Sequence, residues 1–274
     1  MPTSKIKVAC IQINADENID ANIDRALRLT NVAAQKNARL ALLPEVFHYR
    51  GDRKKIGQAA LTLKAPLIKK FQRAAAGFNM GILLGSVLEK SGKRGKFYNT
   101  SVLISEKGRI TAVYRKIHLF DIDLRGEVKV SESEYILPGR KKVVSQFRGI
   151  KAGLSICYDL RFPELYRELT ARGAEMIFVP SNFTETTGKA HWETLLRARA
   201  IENQVFVIAP AQCGKNVSTG IKSFGTSLIV DPWGRILARG SSSGEEIILA
   251  ELDFGLLRKL RRQFPVLTHA GFDC

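Results

Sequence analysis

One stretch, Gly153-Leu154-Ser155-Ile156-Cys157-Tyr158-Asp159-Leu160-Arg161-Phe162-Pro163-Glu164, constrains this chain more than any other. The apolar run ending at Ile156 reads as a buried strand, and Pro163 suits the first position of a helix over Glu164 to Ala171. Cys157 therefore falls on a sharp strand-to-helix turn. There, the following backbone N–H groups and a positive helix terminus face whatever approaches the sulfur. With a charged partner close by, such a thiol ionises more readily than a free one. Without partners it is a small core residue at a strand end, because a lone cysteine packs as a hydrophobe.

The surrounding pattern alternates between strand and helix. Ile6 to Ile13 leans apolar as a strand, and Asn18 to Gln35 carries Ile19, Ile23, Ala26 and Leu27 at helical spacing. Leu40-Ala41-Leu42-Leu43 is a short buried strand stopped by Pro44, Leu61 to Phe78 a helix, and Met80 to Val87 a strand. Phe97 to Ile104 and Arg109 to Tyr114 read as a hairpin. Strand character returns at Val143 to Phe147, Ala152 to Ile156, Glu175 to Val179, Gln204 to Ala209, Ser223 to Val230 and Glu246 to Leu252. Gly188 to Glu202 and the basic Phe254 to Gln263 are helical. Residues 116 to 141 have no clean period, and a stretch that long between strands is more often functional than idle. Mixed sheets with helices outside follow from this alternation. No repeat, linker or low-complexity break divides the chain, so residues 1–274 read as a single domain.

A hydrophobic share of 45% with 25% charged residues excludes a disordered chain. No apolar run reaches the roughly 20 residues that span a bilayer, and the start of the chain lacks a signal-peptide pattern, so the expected compartment is cytoplasmic. Cys10, Cys157, Cys213 and Cys274 are scattered without metal-ligand spacing and are expected as free thiols. The net charge of +17 would suit an anionic partner. Its basic residues are spread over many segments without a nucleic-acid-binding motif beside them, which favours a solvated basic surface over a nucleic-acid site.

A nucleophilic thiol needs a base and an oxyanion donor. Glu45 follows Pro44 at the end of one strand, and Lys116 follows Arg115 at the end of another. With Cys157 these make three polar groups at three strand ends, the arrangement of a site along one sheet edge. Taken singly, each is an ordinary surface residue. The histidines His48, His118, His191 and His269 are alternative thiol partners, and nothing in their spacing ties any of them to Cys157.

The blocks Leu42-Leu43-Pro44-Glu45, Tyr114-Arg115-Lys116-Ile117-His118-Leu119-Phe120-Asp121 and Ile156 to Glu164 resemble, in order, the three signature segments of the nitrilase superfamily, the carbon–nitrogen hydrolases. The likeness continues through Ala190 to Glu193, Leu196 to Gln204, Val230 to Gly234 and the Leu260 to Val266 tail. It implies a four-layer αββα sandwich that pairs into a homodimer or a higher homo-oligomer. It also implies Glu45 as general base, Lys116 as cationic donor and Cys157 as nucleophile. Glu132 matches a second glutamate that orients Lys116 or the substrate amide, with Glu134 as the alternative register.

In related amidases the positions of Arg161, Phe183 and Thr187 receive a substrate carboxylate, and the backbone of Tyr158 helps hold the oxyanion. For Arg161 an internal salt bridge to Asp159 or Glu164 stands as the alternative. Within the superfamily the chain is most similar to the branch of omega-amidase and deaminated glutathione amidase. That branch implies a thiol amidohydrolase releasing ammonia from a small carboxylate-bearing amide, with no metal, no cofactor, and no membrane or nucleic-acid partner. A nitrilase, an N-carbamoyl amide hydrolase or a non-catalytic basic binding protein are the competing readings. The sequence departs from the family at Thr226, where histidine is common, and at Leu124-Arg125-Gly126-Glu127, where proline is common; both read as pocket or rim positions.

Overall fold

The computed structural model describes residues 5–124 and 128–271. Its architecture follows from period-2 burial in strands that are apolar on both faces. In the Lys5–Gln12 strand, Ile6, Val8 and Cys10 join one core cluster with Ile150, Ala152 and Leu154, while Ala9 and Ile11 join another with Ile23, Ala26, Leu67 and Phe71. Leu40 and Leu42 likewise face the first cluster, and Ala41 and Leu43 the second. A strand buried on both sides lies between another sheet and a layer of helices.

Two six-stranded sheets result. The first runs Glu246–Asp253, Lys5–Gln12, Leu40–Leu42, Gly81–Lys90, Phe97–Ile104, Ile110–Arg115. The second runs Ile236–Arg239, Leu228–Val230, Phe206–Ala209, Met176–Phe178, Ile150–Leu154, Val144–Phe147. Each sheet mixes parallel central pairs with antiparallel outer ones. Helices Ile19–Gln35 and Pro66–Phe78 cover the outer face of the first sheet. Helices Pro163–Ala171 and Glu185–Asn203 bury Leu165, Tyr166, Leu169, Trp192, Leu196 and Ala200 with the strands of the second. This is the αββα order that the resemblance implies.

Three local expectations are corrected. The aperiodic 116–141 stretch holds a small antiparallel pair, Asp121–Leu124 with Val128–Ser131, followed by a 3₁₀ turn over Glu132–Glu134. The strand expected over Ser223 to Val230 shrinks to Leu228–Val230, because Gly225 and Thr226 take positive φ of 68° and 56° and turn the chain. The long helix starts at Glu185 rather than Gly188, because the Thr184 side chain accepts the Thr187 N–H and caps it.

Candidate active site

Three strand ends deliver three side chains to one place. Beyond Leu40–Leu42, the Pro44–Val46 turn sits against a bulge in the neighbouring strand at Leu84 to Val87. A Cβ on Gly85 would fall 1.9 Å from the Leu43 carbonyl oxygen, so only glycine permits this approach. Ser86 then donates its N–H to the Pro44 carbonyl at 3.3 Å, and its hydroxyl accepts the Val46 N–H at 2.9 Å. Gln212 donates to the Glu45 carbonyl at 2.9 Å. Val46 is held at φ 46°, a costly conformation for a β-branched residue, which shows how firmly the turn that aims Glu45 is determined by its surroundings.

Lys116 follows Ile110–Arg115 directly. Its N–H donates to the Asn99 carbonyl at 2.9 Å and its carbonyl accepts the Gly139 N–H at 2.7 Å, so its backbone is pinned on both sides. Cys157 follows Ile150–Leu154 at φ 48° and opens a 3₁₀ turn over Cys157–Arg161. The sharp turn expected from sequence is present. The helix proper begins only at Pro163, so a 3₁₀ turn, and not the first turn of that helix, adjoins the sulfur.

These residues share the wall of one cavity of about 310 Å³. Lys116, 2% exposed, donates to Glu45 Oε1 at 3.0 Å and to Glu132 Oε2 at 2.8 Å, and both glutamates are themselves buried. Glu132 Oε2 also accepts the Phe120 N–H at 2.7 Å, which ties the cluster to the base of the small hairpin. Glu134, the alternative register, instead pairs with Arg53 at the surface. Burial alone would lower Lys116, but the attraction of Glu132 and then Glu45 outweighs it and holds the ammonium well above its ordinary range.

The thiol goes the other way from the sequence expectation. Burial first, and the Glu45 carboxylate second, push Cys157 well above its ordinary value, against the lowering effect of Lys116 and of the Asn182 backbone N–H. Burial and the Glu45 carboxylate both favour the thiol over the thiolate.

A carbon–nitrogen hydrolase family model matches residues 7–262. The chain belongs to the carbon–nitrogen hydrolase family. It is 39% identical over 269 residues to the deaminated glutathione amidase of Synechocystis sp., covering 96% of this chain and 97% of that one. The human deaminated glutathione amidase is 39% identical over 97% of this chain and 82% of its own length. The crystal structure of Saccharomyces cerevisiae Nit3, a member of branch 10 of the nitrilase superfamily, superposes with a TM-score of 0.86 at 32% identity, covering 96% of each chain. This carbon–nitrogen hydrolase is an amidohydrolase of that superfamily.

Within the hydrolase, the expected carboxylate-binding residues sit elsewhere than the cavity wall. Arg161 lies over the rings of Tyr158 and Phe183, at 5.7 and 5.4 Å from their centroids, with Nη1 3.2 Å from His191 Nδ1. It makes no ion pair with Asp159 or Glu164 among the described residues. Phe183 packs on Trp192, and Thr187 bonds the Thr184 hydroxyl at 2.9 Å. Arg161, Phe183 and Thr187 do not line the cavity, and the Tyr158 ring packs against Phe120 and Phe162, while the wall itself carries Arg50, Arg53 and Lys129. Thr226 is not on the wall either: its carbonyl accepts the Trp192 indole N–H at 2.7 Å, a core-supporting role. Residues 125–127, the other departure, lie outside the described residues.

His48, His118 and His191 each have partners other than the sulfur. His118 stacks on Phe162 at 3.7 Å and faces Asp159, and His48 is buried against the Ala59 carbonyl. Cys10, Cys157 and Cys213 are free thiols, and Cys274 lies outside the described residues. Among the described residues no helix is long and apolar enough to cross a membrane. No group of three or more His, Cys, Asp or Glu residues there is placed to hold a metal ion. Sequence reasoning missed Asn99, which bridges Glu45 and Glu132; its one signal was a polar run, Asn99-Thr100-Ser101, in a strand that otherwise turns apolar.

Proposed function

We propose that this hydrolase cleaves a small carboxylate-bearing amide, of the deaminated glutathione or 2-oxoglutaramate type, through a thioester on Cys157. The observation that most supports this reading is the buried cluster in which a base, an ammonium and a thiol meet at one cavity wall. A thiol that stays protonated at rest suits a mechanism in which Glu45 takes the proton as sulfur attacks.

In the proposed sequence, Cys157 Sγ adds to the amide carbon while Glu45 accepts its proton. The carbonyl oxygen becomes an oxyanion held by Lys116 Nζ and the Tyr158 backbone N–H, each such donor being worth about 10² to 10³ in rate. Collapse breaks the carbon–nitrogen bond, and Glu45 returns the proton to the departing nitrogen. Water, deprotonated by Glu45, then attacks the thioester and releases the acid, and the proton returns to sulfur. Glu132 keeps Lys116 in place. A primary amide such as 2-oxoglutaramate leaves ammonia. The amides of deaminated glutathione are secondary, so there the leaving group is an amine and ammonia is not formed.

The family likeness supports a carboxylate-bearing substrate; the wall cations Arg53 and Lys129 are each paired already, with Glu134 and Asp123. The proposal includes a one-domain chain that pairs as a homodimer. Three buried free thiols suit a reducing compartment such as the cytoplasm.

The test is a parallel assay of 2-oxoglutaramate for ammonia and of deaminated glutathione for a new primary amine, with glutamine and a simple nitrile beside them. Intact-protein mass spectrometry under substrate reports acylation. Turnover of one of the first two, abolished in Cys157→Ala, with acylation confined to Cys157, is the expected result. Acylation at Cys10 or Cys213, or turnover of the nitrile alone, would refute it.

A further inference from the structure

Two glutamates flank one lysine in this cluster, and the geometry distinguishes their roles. Glu132 has both oxygens occupied: Oε2 accepts from Lys116 Nζ and the Phe120 N–H, and Oε1 accepts from Asn99 Nδ2 at 3.2 Å. Glu45 is bound on one side only. Lys116 Nζ at 3.0 Å and Asn99 Nδ2 at 2.8 Å both converge on Oε1. No nitrogen or oxygen donor among the described residues takes Oε2.

Asn99 itself is 3% exposed, lines the same cavity, and places its amide in one orientation. Turned over, its oxygen would face two carboxylates. In the orientation present, its amide nitrogen serves both carboxylates and its oxygen is left buried without a partner, which costs stability. The backbone of the same residue accepts the Lys116 N–H, so Asn99 fixes the lysine as well as the two acids. A neutral donor is the group that can bridge two anions without a second cation that would compete with Lys116 for them.

We infer that Asn99 is a positioning residue which, together with Lys116, occupies Oε1 of Glu45 and so reserves Oε2 as the oxygen that takes the thiol proton. This rests on the proposed reading of the reaction and adds to it the reason Glu45, and not Glu132, is the base. Asn99 acts by holding the carboxylate that takes the proton.

The test compares Asn99→Leu, which keeps the volume and removes the donor, with Asn99→Asp, which keeps the shape and puts a third acid beside one ammonium. Both are expected to lower kcat about 10- to 100-fold, the worth of one hydrogen bond to a charged group, with KM little changed. Both are also expected to move the acid limb of the kcat/KM profile to higher pH, because losing a donor or gaining an anion favours the protonated acid, and Asn99→Asp is expected to move it further. Thermal unfolding of each variant is measured alongside. Should Asn99→Leu fail to fold, Asn99→Asp and Asn99→Ser carry the comparison.

An unchanged acid limb in folded variants overturns the inference, whether kcat is wild-type or falls only in step with thermal stability. Acylation of wild-type Cys157 in the same preparation separates the two claims. If it is absent, the reaction scheme itself fails; if it is present while the Asn99 variants behave as wild type, only the role of Asn99 fails.

Discussion

His118 meets Asp159 twice, through its backbone N–H at 3.0 Å and its Nδ1 at 2.7 Å, both on Oδ1. The second oxygen of this fully buried carboxylate accepts the Ile156 N–H at 2.8 Å and the Tyr114 hydroxyl at 2.6 Å. One side chain thus ties the segment just after Lys116 to the residue just before Cys157. Burial and the Asp159 charge push the Tyr114 hydroxyl far above its ordinary range, so it remains a donor.

Asp159→Asn swaps one acceptor oxygen for a donor facing existing donors. It is expected to cost on the order of 3 kcal/mol, the worth of a charged hydrogen bond plus an unsatisfied partner, and to lower kcat/KM at least about tenfold by loosening the cysteine turn against the lysine. Differential scanning calorimetry and steady-state kinetics on the same sample check both. Wild-type kinetics would show that the tie is not needed for the site.

Glu45→Gln separates ionisation from catalysis. The Glu45 charge is one of the groups that raise the Cys157 thiol, so removing it makes the thiolate easier to form while removing the base. In the wild type, alkylation by iodoacetamide should stay slow at neutral pH and accelerate only above pH 9.0, the ordinary thiol value. In Glu45→Gln the alkylation curve should move to lower pH while amide turnover drops about 10²-fold or more. A pre-formed thiolate would instead show fast alkylation in the wild type at pH 7 and below.

Lys116 carries a stability signature as well as a catalytic one. Its folded value lies above the ordinary 10.5, so the stabilisation from this ammonium is fully present below pH 10.5 and is lost as pH rises beyond it. Lys116→Met leaves two buried carboxylates without their cation, at a cost of roughly 3–5 kcal/mol at neutral pH. That deficit should shrink as acid protonates the remaining carboxylates, and the variant should lack the wild-type loss of stability above pH 10.5. Urea melts across pH measure both slopes, and parallel curves would contradict the assignment.

Much of the fold was legible because it is periodic. The alternation of Ile6, Val8 and Cys10 with Ala9 and Ile11 describes a strand covered on both faces before any partner is known. The site was legible through three short motifs, and Glu45, Lys116, Cys157 and Glu132 do converge. The surroundings of Arg161 were not legible in the sequence, for a physical reason. Its guanidinium can stack on aromatic rings as readily as it can bind a carboxylate, and the neighbouring Tyr158 and Phe183 rings decide which environment it meets.

The amino-acid order by itself determined the layers, the strand ends that present the acid, the ammonium and the thiol, and the family of chemistry. These follow from local periodicity, from turn residues such as Pro44 and Pro163, and from motif identity. Only the tertiary structure decided that burial and Glu45 raise the Cys157 thiol, that Lys116 and Asn99 converge on one oxygen of Glu45, and that Lys116, the Phe120 N–H and Asn99 take both oxygens of Glu132. Each of those depends on burial and on contacts among residues 45, 99, 116, 132 and 157. Such contacts are far apart along the chain, and no local pattern encodes which carboxylate oxygen a distant amide will reach.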